Sequence, residues 1–203
     1  SQSFLSDFVM GFTASHPQIK LSMTSDALDI LVKQLNDGLT DLAFVTHVDK
    51  NYLIGLESKT IMKSPLIAVM HPTHALANRD SLSIKDLSGF PMINFSPQAN
   101  PITSDFNKQI FKKAGAQLNI VREIPNIETA AFCASINEGV FIMPEYLLSS
   151  IGSLRTVPLT DSFAYVTLNL IWKKKNPNIS IPVFVDSFST YIQNRNPNLA
   201  PAD

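Results

Sequence analysis

The chain has 203 residues, is 45% hydrophobic and carries a formal net charge of -1. That is apolar material enough for one domain or two small lobes, and far too little positive charge for non-specific nucleic-acid binding. A single cysteine, Cys133, excludes an internal disulfide, and no apolar run approaches the roughly 20 residues of a membrane helix, so a soluble, cytoplasmic protein is expected.

Phe4, Leu5, Phe8, Val9 and Phe12 lie within one arc of a helix that ends ahead of Pro17. Ile19, Leu21 and Met23 alternate with polar residues, the pattern of a half-buried strand. Leu28, Leu31, Val32 and Leu35 then recur at helical spacing, and Gly38 supplies the left-handed conformation that closes a helix. Residues 42–45, Leu-Ala-Phe-Val, form a short continuous apolar run, as in a strand covered on both faces. Together these read as half of a parallel α/β unit.

Residues 66–70 read as a second buried strand, broken at His71-Pro72. Ser83, with Asp86 three residues later, starts a short helix ending near Gly89. A strand at 92–95 leads into a proline-punctuated loop. Phe106, Ile110, Phe111 and Ala114 form a helix stripe closed by Gly115. A strand at 118–124, a helix at 127–138 and a strand in "VFIM" follow. The longest strand candidate is "FAYVTLNLIW", after which three lysines, Lys173, Lys174 and Lys175, read as a solvated strand end. Ser180 caps a last helix with its stripe at Ile181, Phe184, Val185, Phe188, Tyr191 and Ile192. Helices alternate with strands twice over, which predicts two α/β lobes.

Catalytic constellations are missing. Gly38, Gly89, Gly115 and Gly139 each end a helix, and no glycine-rich phosphate loop is present. His16, His47, His71 and His74 form no metal-binding spacing, and Cys133 lies in an apolar helix without a paired cysteine. Glu123 and Glu128 read as a solvated acid and a first-turn helix acid as readily as an acid/base pair. Neither a catalytic residue, nor a metal, nor a cofactor is expected.

Five segments occur in order: "FTASHPQIKL", "LVKQLNDGLTDLAFV", "PLIAVMHPTHALA", "LSIKDLSGFPMINF" and "NEGVFIMPEYLL". Together they resemble the effector-binding domain of LysR-type transcriptional regulators, over nearly the whole chain. The resemblance implies an α/β fold of two Rossmann-like lobes joined by two crossing strands, like type 2 periplasmic binding proteins. The first lobe would be residues 1–70 with 171–203 and the second 71–170, with the crossings near His71-Pro72 and Ile171-Trp172. It also implies a strand ahead of the first helix and a DNA-binding winged helix-turn-helix further upstream, neither of which is in this sequence. The expected function is ligand sensing: a small-molecule effector in the interlobe cleft controls DNA binding by the full-length protein. A solute-binding protein of a transport system, or an enzyme on the same scaffold, is the alternative.

Helix N-termini present free N–H groups and a positive dipole end, which suit a carboxylate or another anion. An organic acid is therefore the expected effector class. Such starts fall at Ser25-Asp26, Thr103-Ser104 and Asn126. Ser96 follows a strand end that the family uses for effector contact, Thr129 lies in the turn after Asn126, and His47 ends the strand that reaches the cleft side. Ala27 stands where relatives often carry a serine or threonine, which points to a different effector. Each hydroxyl or amide here is also an ordinary helix cap.

On a helical wheel of residues 127–138, Ile127, Ala130, Ala131 and Ala134 share one side, while Phe132, Cys133 and Ile136 fall on others. Family effector domains pair side by side and antiparallel, this helix meeting the first helix of the other subunit. The resemblance thus implies a homodimer through Phe132 and Met10, a higher oligomer for the full-length protein, DNA contact only through the upstream domain, and no membrane.

Overall fold

In the computed structural model, residues 3–24, 26, 28–46 and 53–195 are described. In chain order the elements are α1 (Ser3–Ser15), α2 (Leu28–Asp37), β1 (Leu42–Thr46), β2 (Leu56–Met70), β3 (Pro91–Phe95), α3 (Pro101–Lys113), β4 (Asn119–Ile124), α4 (Ile127–Ser135), β5 (Phe141–Pro144), β6 (Arg155–Pro158), β7 (Tyr165–Lys173) and α5 (Ser180–Arg195), with 3-10 turns at Ile84–Leu87 and Glu145–Ser150. The chain divides into two compact units, one of Gln2–Lys63 with Thr167–Asp203 and one of Ser64–Val166. Strands β2 and β7 each run from one unit into the other.

In the first unit β1 pairs antiparallel with β7, Phe44 opposite Leu170. Alternation along β1 sends Ala43 and Val45 to a cluster with Leu35 of α2, Leu56 and Ile171. Phe44 points to the other face, its ring 5.0 Å from Phe188 of α5. Phe8 of α1 sits 4.8 Å from Phe188 and 5.3 Å from Phe184, edge to face in both pairs. The short apolar run is therefore covered on both sides, as its composition demands. Gly38, at φ 73°, lets the Leu39 N–H reach back to the Gln34 carbonyl and end α2.

Two local expectations fail here. The alternation at Ile19, Leu21 and Met23 does not become a strand: among the described residues no strand pairs with this segment, and Leu21 and Met23 stay exposed. The unit expected to be parallel is antiparallel where β1 meets β7, a partner from the far end of the sequence that the local pattern could not announce. Alternation marks which side chains are hidden in a strand, not who its neighbour will be.

The second unit is built around β3. Its parallel partner is β4, and the Val140 backbone bonds to Pro91 O at 2.9 Å and to Ile93 N–H at 2.8 Å, tying β3 to the start of β5. The latter half of β2 pairs antiparallel with β5 and β6. One layer of core packs Leu66, Ala68, Met70 and Met92 against Ile110 and Phe111 of α3. The other packs Ile67, Val69, Ile93 and Phe141 against Ala130, Cys133 and Ala134 of α4. Each large apolar side chain so buried contributes roughly 1.5–3 kcal/mol of transfer free energy. Cys133 thus belongs to the buried face of α4, whereas Phe132 and Ile136 are 64% and 60% exposed. No helix among the described residues is long and apolar enough to cross a membrane.

Candidate functional site

Because β3 and β4 are parallel and each leads into a helix, α3 and α4 start from the same edge, the C-terminal ends of the two strands. The strand ends are held together there by the Ser96 N–H, which donates to the Ile124 carbonyl at 2.9 Å. Ser96 then folds the loop onward. Its Oγ accepts from the Ala99 N–H at 3.1 Å and its carbonyl from the Asn100 N–H at 2.9 Å.

Asn100 caps α3: its Oδ1 accepts from the Thr103 N–H at 3.1 Å, and Pro101, with no N–H to satisfy, opens the helix. Asn126 caps α4 in the same way, accepting from the Thr129 N–H at 2.9 Å and the Thr129 hydroxyl at 2.8 Å. What remains is the N–H of Ile102 in α3 and those of Ile127 and Glu128 in α4, donors with no intrahelical acceptor. Two helix dipoles and these donors can stabilise a negative charge at this edge.

The structure brings Ser96, Thr103, Ser104, Asn126 and Thr129 to this one edge. Ser104, however, is fully buried beneath the first turn of α3. Asp26 lies in the other unit, exposed, its carboxylate accepting from Gln34 Nε2 at 3.2 Å. Ser25, Ala27 and His47 lie outside the described residues. Met10 of α1 and Phe132 of α4, the expected association residues, are 67% and 64% exposed.

Sequence reasoning missed three asparagines. Asn100 is the cap itself. Asn94, in the middle of β3, and Asn107, on α3, are both buried, and Asn107 Nδ2 donates to Asn94 Oδ1 at 2.8 Å. The available signal was the amide in the otherwise apolar run "PMINF", since polar side chains are rarely buried without a partner.

Two further titratable groups are perturbed by their surroundings. Burial, then the neighbouring Glu138 carboxylate, pushes the Cys133 thiol up, the wrong direction for a nucleophile. The Arg122 guanidinium donates to Glu138 through Nε at 2.8 Å and through Nη2, and holds that carboxyl below its usual range. Among the described residues no three metal-ligating side chains converge.

The profile of the LysR substrate binding domain family matches residues 1–191. Among curated relatives, the uncharacterised HTH-type transcriptional regulator YwbI of Bacillus subtilis is 24% identical over 165 residues, which cover 80% of this chain and 54% of that protein. The chain thus spans about half the length of this relative. Among solved structures, the BenM effector binding domain with its effector benzoate superposes with a TM-score of 0.81 at 17% identity, covering 97% of this chain and 88% of that one. The effector binding domain of QuiR in complex with shikimate gives 0.77 at 21% identity, covering 94% and 90%. The shared fold is α/β, of the type 2 periplasmic-binding-protein-like kind, with two lobes joined by two crossing strands.

Proposed function

The chain belongs to the LysR substrate-binding domain family, and on that premise we propose that it is the ligand-sensing domain of a LysR-type transcriptional regulator. A small-molecule effector binds between the two lobes and controls DNA binding and transcription by the full-length protein in the cytoplasm. The observation that carries this reading is the convergence of Ser96 with the capped starts of α3 and α4 on one strand edge. Ligands of α/β sheets collect at such carboxyl ends.

The effector is an organic acid on this reading. The free first-turn donors favour an anion, and benzoate and shikimate occupy effector domains of the same fold. Ser25, Asp26 and His47 are proposed to contribute from the first lobe, and Ser96, Thr103, Asn126 and Thr129 from the second, while Ser104, buried beneath the first turn of α3, can act only from behind. The two units are taken as the two lobes, and DNA is reached only through a helix-turn-helix domain elsewhere in the full-length protein. A transport solute-binding protein is the less favoured reading, because the curated relatives are HTH-type transcriptional regulators, not transport proteins or enzymes. We further propose a homodimer, in which α4 of one subunit, with Phe132, meets α1 of the other, with Met10.

The test is a melting-shift screen of small organic acids, benzoate and shikimate included, on the wild type and on a Ser96→Ala, Thr129→Val double variant. Both keep the backbone caps, so ligand-free Tm stays within a few degrees, while the ligand-induced shift shrinks or disappears. An undiminished shift in the double variant refutes the site.

A further inference from the structure

The two helices that start at this edge dock on β3 by different chemistry. Four residues after its cap, α4 places Ala130 against the sheet and α3 places Ser104, both fully buried. Seven residues after the cap, α4 has Cys133 and α3 has Asn107, again equally hidden. On the strand between them, Phe95 faces the α4 side and Asn94 the α3 side. So α4 shows that an apolar contact is enough to seat a helix on β3, and α3 nevertheless uses an amide and hydroxyl layer directly under its first turns.

Stability does not account for that layer. Asn107 Nδ2 donates to Asn94 Oδ1 at 2.8 Å, but Asn94 Nδ2 meets Ser104 Oγ only at 3.5 Å, the limit of a hydrogen bond. Among the described residues Asn107 Oδ1 and the Ser104 hydroxyl proton have no hydrogen-bond partner. Buried polar atoms left unsatisfied cost free energy that an apolar layer avoids. What a hydrogen bond adds is direction. Apolar contacts tolerate sliding, whereas an amide pair loses its interaction when one element shifts or rotates past the other.

We propose that Asn94, through Asn107 and Ser104, is a positioning residue of the candidate effector site. Its carboxamide fixes the height and rotation of α3 on β3, and so the place of the Asn100-capped turn, with its Ile102 N–H, relative to Ser96. The functional meaning of this layer rests on the effector-site reading above, but its structural part is testable without any ligand.

Amide hydrogen exchange by NMR reads the first turn of α3 directly, at Thr103 and Ser104, beside thermal unfolding. Asn94→Leu leaves Asn107 unsatisfied and lowers Tm. Adding Asn107→Leu removes the second amide, leaving only the Ser104 hydroxyl in the layer, and restores Tm. Both the single and the double variant are expected to exchange at Thr103 and Ser104 about tenfold faster than the wild type, with the α4 amides unchanged. Ser104→Ala, which copies Ala130, is expected to do the same to a smaller degree at unchanged Tm. The proposal is overturned if the double variant recovers wild-type exchange along with Tm, if its Tm stays low, or if exchange quickens equally throughout the unit. Faster α3 exchange together with an unaffected ligand shift in the Ser96 and Thr129 double variant would sink the effector site and leave the positioning role standing.

Discussion

Asp86 couples a local hydrogen-bond box to pH. Its Oδ2 accepts from the Ser83 hydroxyl and the Ser83 N–H, both at 2.7 Å, while its own N–H donates to Ser83 Oγ at 3.3 Å. The hydroxyl bond first, then the amide bond, hold the carboxyl below its ordinary value of 3.8, partly opposed by burial and helped by the Arg79 charge. A carboxyl lowered by folding adds stability above its unfolded pKa, and that stability is lost as pH falls through the folded pKa. Urea unfolding at about pH 6 and about pH 3 should therefore show a smaller acid loss in Asp86→Asn than in the wild type. Equal losses would mean the box contributes nothing to acid sensitivity. This residue pair was legible, because a serine and an acid three apart ahead of apolar residues is a local signal. Asn94 was not, because its partner on α3 is made near only by the fold.

At the scale of elements, the contact between β3 and the start of β5 depends on an absent side chain. A Cβ at Gly139 would lie 2.7 Å from the Pro91 carbonyl oxygen and 3.3 Å from Ile93 Cγ1. Gly139→Ala should thus push β5 from β3 and lower unfolding free energy by roughly 1–3 kcal/mol in urea denaturation, with a loss below about 0.5 kcal/mol counting against the clash. The sequence presents Gly139 as a helix end at residue 138, but α4 stops at Ser135 and the left-handed residue after it is Asn137, at φ 59°, so the glycine is there for this close approach instead. Its helices were readable where a stripe and a stop coincide, as at Phe106, Ile110 and Phe111 ahead of Gly115. Strand partners were not: β1 pairs with β7 rather than with a neighbour in sequence. The short β6, Arg155–Pro158, has too little apolar pattern to announce itself, with Val157 alone fully buried. The site followed the same rule: the Asn126 cap was visible in the letters, whereas the Asn100 cap and the buried amides were not.

For the whole molecule, the exposed side chains of α4 bear on association. Phe132 is 64% exposed and Ile136 60%, so neither is spent on its own unit's core. Covering them in a two-fold pair with α1 would bury this apolar surface twice, once at each symmetric contact. The wild type should scatter light as a dimer at micromolar concentration, and Phe132→Asp should give a folded monomer, because the substitution places a charge on the face that a partner would cover. A monomeric wild type refutes the pairing.

The two passages of the chain between the units also set an order of events at the ribosome. Ser64–Val166 is one uninterrupted stretch and has all its strands in hand once it has been synthesised. The other unit holds α1 and β1, yet β1 pairs with β7 and α1 packs on α5, which emerge last among the described elements. The half of the molecule that is made first is therefore finished last. Until then Phe8 and Phe44 lack the ring of Phe188, and Phe12 lacks that of Phe184, so this apolar surface stays uncovered while the chain is being made.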